Sequence, residues 1–385
     1  MALSKARIAK GLGFAIPDAD VEDILTRLGL VIESQNREGW TFLIPSYRFD
    51  IAIEEDLFEE LARIYGYNRL PNTDLVMSIT LPRKTEKKLS AAFLADHLVS
   101  RDYQEAVTYS FIDPKIHVLF EPGLKGVELL NPISADMSVM RTGLVPGLVQ
   151  TLRYNINRQA QRVRLFEIGM VFIPGEVGLI QRQSIAGLVY GRRDAVAWSA
   201  DKQEVDFFDI KGDLESLFDM TGQTPVFEAG IHNALHPGQT ARVHIDGKEV
   251  GYIGSLHPQV LQELDIARPA YVFEVQLSAL TRAAVPKFSP LSKFPEINRD
   301  LAIVVDKNVN VADLEAEIAV NAGDYLKNLK VFDVYSGEGI DPQRKSVAFS
   351  LTYQHPSRTL NEEEISASEA RILKRLEAEF NARLR

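Results

Sequence analysis

Six carboxylates lie along one short stretch of the chain, residues 44–71, IPSYRFDIAIEEDLFEELARIYGYNRLP. At about 100° per residue, a helix over this segment puts Leu57, Leu61, Ile64 and Tyr65 on one arc. Asp56, Glu59, Glu60 and Arg63 fall on the opposite arc, and Asp50 closes an extended approach to the helix. Asp50, Asp56, Glu59 and Glu60 are hard oxygen ligands of the kind Mg²⁺ takes alongside retained waters. Acidic residues in a first helical turn also suit the macrodipole and commonly face water. On spacing alone a solvated acidic face is the more economical reading. Gly66 fits a helix stop.

The chain must supply elements that hold such a segment, and 385 residues suffice for two or three domains. It has no cysteine, which excludes disulfides, thiolate zinc sites and thiol catalysis. No apolar run has the length of a membrane span, and the opening MALSKARIAKGLG lacks a signal-peptide core. A cytoplasmic location fits. A net charge of −10 argues against a general nucleic-acid coat but leaves room for a local RNA-binding module.

Residues 1–72 read as one small module. A helix near 5–10 precedes a second, with Val21, Ile24, Leu25 and Leu28 at helical spacing, capped by Asp18 or Asp20 and ended by Gly29. Strands at 30–34 and 40–44 and the acidic helix complete a winged-helix-like pattern. DNA reading is not expected, because Asp18, Asp20, Glu22 and Asp23 would repel phosphates. Residues 71–90 read as a linker. Strands at 105–111, 163–173, 184–190, 241–245 and 271–275, with helices at 91–100, 144–155 and 209–220, suggest a mainly antiparallel domain over 73–286. Residues 287–385 run strand (300–305), helix (311–319), strand (329–335), strand (346–353), helix (362–379), short strand (382–385), the βαββαβ order of a ferredoxin-like domain. Thr359 and Glu362 form a capping-box pattern. The expected class is therefore α+β with three domains.

Other chemistry is sparse. His232 and His236 have i, i+4 spacing, but no Glu follows His232 and Pro237 interrupts a helix, which favours loop or packing roles. Gly11 and Gly13 make only a GxG. In the strand at 346–353, Val347, Phe349, Leu351 and Tyr353 alternate with Ser346, Ser350 and Thr352, so the aromatics face a core. Any RNA contact there falls to polar groups with Arg299, Arg358 and Lys330. A polar face meeting water or another domain fits the same pattern.

Three separated segments resemble the β subunit of bacterial phenylalanyl-tRNA synthetase, in that family's order. They are RFDI with EEDLFEELARIYGY; LLNPISADMSVMRTGLVPGLVQTLRYNINRQ with FEIGMVF, DFFDIKGDLESLF and HPGQTARV; and FPEINRDLAIVV with SVAFSLTYQHPSRTLNEEEI. The resemblance covers nearly the whole chain and corresponds to the C-terminal half of the family's longer subunit, without its N-terminal tRNA-binding and editing domains. It implies a magnesium site on Asp50, Asp56, Glu59 and Glu60 near the contact with the α subunit. It implies a class II synthetase-like middle domain without chemistry, since Ile173 and Pro174 follow GMVF where catalytic relatives carry an arginine for ATP phosphates. It implies a ferredoxin-fold anticodon-binding domain at 287–385, with Arg299 and Arg358 as candidate tRNA contacts. The implied partners are the α subunit, in an (αβ)₂ heterotetramer, and phenylalanine tRNA, with ATP used by the full enzyme. A stand-alone RNA-binding or interaction protein built from synthetase-like modules is the alternative.

Overall fold

A computed structural model describes residues 1–72, 74, 76–80, 88–288 and 290–385. The chain divides into two compact units, residues 1–84 and 85–385. The basic run PRKTEK of the expected linker lies outside the described residues.

In the first unit, β1 (Ala2–Ser4), α1 (Lys5–Leu12), α2 (Asp18–Arg27), β2 (Val31–Gln35), β3 (Gly39–Leu43) and α3 (Glu54–Tyr65) follow in order. The strands form an antiparallel sheet, β1-β3-β2. Val21, Leu25, Trp40, Phe42, Leu57 and Leu61 close its core. The acidic helix forms as expected, with two differences on its faces. Ile64 is exposed at 36%, because the chain turns away one residue after the helix, at Gly66 with φ +105°. Phe58 is buried instead, its ring set against Gly11 at 3.0 Å from where a Cβ would stand. Gly13 ends α1 at φ +78°. The GxG is thus a close approach and a helix stop.

The approach to α3 is not a strand. Pro45 lacks an N–H for a ladder, and turns close from the Arg48 N–H to the Pro45 carbonyl and from the Ile51 N–H to the Arg48 carbonyl. Asp50 therefore stands in a turn. The acids of α2 serve the unit itself. Glu22 accepts from the Trp40 indole at 3.0 Å, and Asp18 pairs with Lys5 at 2.6 Å.

The second unit carries two large sheets with separate cores and a two-stranded β5-β6 sheet. Its first part runs α4 (Ala91–Ser100), β4 (Gln104–Glu105), β5 (Phe111–Ile112), α5 (Pro114–Phe120), β6 (Val139–Met140), α6 (Val145–Ile156), β7 (Arg162–Gly175), β8 (Gly178–Gly191), α7 (Phe207–Asp219), β9 (Val226–Ala229), β10 (Leu235–Ile245), β11 (Lys248–Leu256), α8 (Pro258–Glu263), β12 (Ala270–Gln276) and α9 (Leu277–Leu280). Seven strands order as β4-β7-β8-β12-β11-β10-β9, antiparallel except for the short β4–β7 pair. One face is covered by α4 and α7, whose Leu94, Leu98, Leu214 and Phe218 are fully buried. The opposite core includes Leu148 and Leu152 of α6. The strand expected at 105–111 breaks into β4 and β5. Thr108, between them, turns its hydroxyl to Glu167 at 2.7 Å, a buried acid that also holds Arg141 at 2.6 Å.

The remainder runs β13 (Ile297–Asp306), α10 (Val311–Ala322), β14 (Leu326–Tyr335), β15 (Arg344–Tyr353), α11 (Glu362–Phe380) and β16 (Arg383–Leu384). The sheet order β14-β15-β13-β16 is the antiparallel ferredoxin-like arrangement. Val347, Phe349, Leu351 and Tyr353 are buried with Ile318 and Ile372 of the helices. The capping box of α11 sits two residues beyond the expected one. The Asn361 side chain accepts from the Glu364 N–H, and Glu364 accepts from the Asn361 N–H. Asn361 is extended at its cap, and the helix starts only after it.

Candidate functional site

Helix α3 carries three of the four candidate ligands, and only Glu60 among them is joined to the fourth, Asp50, by a shared partner. Arg48, a residue to which the sequence assigned no role, stands among them. Its Nη2 lies 2.7 Å from Asp50 Oδ2 and 3.0 Å from Glu60 Oε1, while its Nε donates to Asp50 Oδ1 at 3.0 Å. Glu60, only 9% exposed, also accepts from Arg63 at 2.6 Å. Asp56 caps the helix, its Oδ2 accepting from the Ala52 and Ile53 N–H groups at 2.7 and 2.8 Å. Glu59 is exposed.

The electrostatics follow from these partners. The Arg48 guanidinium holds Asp50 below the usual carboxylate range, and the two helix N–H groups do the same for Asp56. Asp50 also pushes on Asp56, so the two carboxylates are close enough to repel. In kind, the four donors suit a hard divalent ion. In arrangement, Asp50 and Glu60 already share one cation, and no three carboxylates or imidazoles among the described residues are grouped to hold a metal. A metal ion there and the Arg48 guanidinium would compete for Asp50 and Glu60.

In the ferredoxin-like sheet, Arg299 sits opposite Leu351, on the face covered by the helices. It donates to Glu362 Oε2 at 2.6 Å and lies 3.6 Å from Glu369, both on α11. Arg358 pairs with Glu364, at 2.8 Å for one of the two contacts. That pairing, with the Asn361 N–H, holds Glu364 down to about 2. Both arginines are thus tied to the start of α11 by carboxylates. Lys330 is exposed and sits opposite Ser350, on the other face of the sheet.

The middle sheet places Ile173 and Pro174 at the end of β7, opposite Ile180 and Leu179 of β8. A cation does stand nearby on the facing strand, where Arg182 is paired with Val171. His232 stacks on Tyr252 with ring centroids 4.2 Å apart, and His236 accepts from the Gly238 N–H. Both have local roles of the kind expected. Ser184, Glu274 and Arg182 were missed by motif reading, because their common face appears only once strand pairing is known. The period-two steps from Arg182 to Ser184 were the one sequence signal.

Three family models match the chain in succession. They are the tRNA synthetase B5 domain over residues 1–67, the phenylalanyl-tRNA synthetase β chain CLM domain over 70–277, and the ferredoxin-fold anticodon-binding domain over 292–385. The chain is 48% identical over 385 residues to the phenylalanine–tRNA ligase β subunit of Pseudomonas fluorescens and 47% identical to that of Pseudomonas savastanoi. Both alignments cover all of this chain and 49% of the relative, so the chain spans about half the length of the curated relatives it matches. Among solved structures, a pyrrolysyl-tRNA synthetase from Desulfitobacterium hafniense aligns at TM-score 0.38 and 15% identity, over 59% of this chain and 74% of that one.

Proposed function

Since the chain belongs to the phenylalanyl-tRNA synthetase β chain family, we propose that it works as a non-catalytic part of a phenylalanine–tRNA ligase. In this reading it associates with an α subunit in an (αβ)₂ heterotetramer, in the cytoplasm, and supports ATP-dependent charging of phenylalanine tRNA. The observation that carries the reading is the ordered succession of three synthetase family models along one chain. The proposed domains are 1–72, 73–286 and 287–385, and the separate cores of the two larger sheets support the second boundary.

The middle domain does not activate an amino acid. A transferring adenylyl group needs positioned cations, and the place after GMVF holds Ile173 and Pro174. The domain's part is to scaffold the catalytic partner. The third domain recognises the tRNA anticodon. Arg299 and Arg358 contact RNA there by exchanging Glu362 and Glu364 for phosphates, an exchange favoured by counterion release at low salt.

Asp50, Asp56, Glu59 and Glu60 take Mg²⁺ in a structural role. The donor chemistry supports this, and Arg48 marks where positive charge is already drawn. When bound, the ion supplies a second cation for these carboxylates.

The test is co-expression with an α subunit. Co-purification of the two chains, with no pyrophosphate released from ATP and phenylalanine by this chain alone, is expected. Pyrophosphate release by the isolated chain would overturn the non-catalytic reading, and failure to associate would overturn the subunit reading.

A further inference from the structure

A polar cavity of about 630 Å³ opens on the α6 side of the seven-stranded sheet. The strand register sets Arg242, Tyr252, Glu274 and Ala186 in one row across β10, β11, β12 and β8. Ser184 and Arg182 follow along β8 at two-residue steps, which keeps them on the same face. The start of α6 reaches Glu274 through its backbone. The Glu274 Oε2 accepts from the Leu144 and Val145 N–H groups at 2.8 and 3.3 Å and from the Tyr252 hydroxyl at 3.4 Å.

Most charges in this wall are already satisfied. Arg242 donates to Glu249 and to the Ile231 carbonyl, each at 2.6 Å, and His232 lies 3.3 Å from Glu121. Two groups are not. Among the described residues, Arg182 makes no hydrogen bond or ion pair, and its Nε is buried without an acceptor. The Ser184 hydroxyl is fully buried and also lacks a partner. Beside them, among the described residues, Glu274 takes its hydrogen bonds at Oε2. Burial pushes the Glu274 carboxyl up, against the pull of the Leu144 and Val145 N–H groups and of Arg182.

A guanidinium and a hydroxyl with open donors complement a group rich in acceptors and negative in charge. Buried polar groups in folded proteins are seldom left unpaired, and those that are call for a partner. We propose that this cavity binds a small oxyanion-bearing molecule, a carboxylate or a phosphate ester, seated on Arg182 with Ser184 as a further hydrogen-bond partner. The site uses side chains to which the subunit role assigns nothing.

Calorimetric titration of the 385-residue chain tests this, with inorganic phosphate and succinate as separate probes. Saturable binding of at least one probe is expected. Arg182→Gln should weaken it roughly tenfold or more, and Ser184→Ala by about threefold to tenfold. Response to phosphate alone assigns the phosphate-ester class, and response to succinate alone assigns the carboxylate class. Absence of saturable binding with both probes overturns the proposal, as does affinity unchanged in Arg182→Gln. Should that variant lose its far-ultraviolet helix signal, Ser184→Ala decides, and unchanged affinity there rejects the site.

Discussion

Asp213 offers the sharpest test of how the middle sheet is held. The residue is 3% exposed on α7, and its Oδ2 accepts from Arg164 Nη1 at 2.8 Å and from the Tyr103 hydroxyl at 2.7 Å. Its Oδ1 accepts from Arg101 Nε at 2.7 Å. Arg101 is partly exposed and can turn to water if the acid is removed. Arg164, with a side chain only 9% exposed, and Tyr103, at 2%, cannot. Asp213→Ala therefore strands a buried guanidinium, at about 3–5 kcal/mol. The loss of the tyrosine's acceptor falls within the same range, because its hydroxyl and the guanidinium share Oδ2. Taking about 4 kcal/mol and about 2 °C per kcal/mol for a unit of this size, the melting temperature should fall by roughly 8 °C. Differential scanning calorimetry and urea unfolding would measure it. The pair of changes Arg164→Met and Asp213→Leu should recover most of the loss, since apolar residues of similar volume leave no unpaired charge. A loss below about 1 kcal/mol for Asp213→Ala, or a double variant no better than the single one, would refute this account.

Three further outcomes follow from the charge arrangement. Glu274 is raised above its ordinary value of 4.5 by burial, so its contribution to stability is complete below that value and declines as pH rises through the raised one. Glu274→Gln should remove that decline, and denaturant unfolding of both proteins from acid to neutral pH would reveal a gap that widens with pH. Glu364 is held down to about 2, chiefly by Arg358, so its contribution is present above 4.5 and lost as pH falls towards 2. Arg358→Ala should bring its titration, followed by carboxylate NMR shifts, back towards the ordinary range. Arg48→Met frees Asp50 and Glu60 from the competing guanidinium, so calorimetry should find Mg²⁺ bound about tenfold more tightly. Equal affinity in the two proteins would count against magnesium at these four acids.

Much of the fold was legible in pattern. Strand β7, the second half of β8, helices α4, α6 and α7 and the βαββαβ order follow from period-two and helical spacing, because the buried face repeats along the chain. The misses were local contests. Pro45 and the turns around Arg48 broke an expected strand, and the box at Asn361 and Glu364 displaced the one at Thr359. Ile64 lost its place in the core to Phe58 because Gly11 leaves room for a ring.

The sequence by itself determined which residue types were available: six acids on and beside one helix, no cysteine, no arginine after GMVF, and three segments in a family's order. Tertiary structure decided their partners. Arg48 reaches both Asp50 and Glu60, Arg299 and Arg358 are drawn to the acids of α11, and Arg182, Ser184 and Glu274 meet across β8 and β12. The reason is range. Periodicity fixes which face a side chain takes, whereas a charge is set by groups within a few ångströms, and those come from chain segments far apart in sequence.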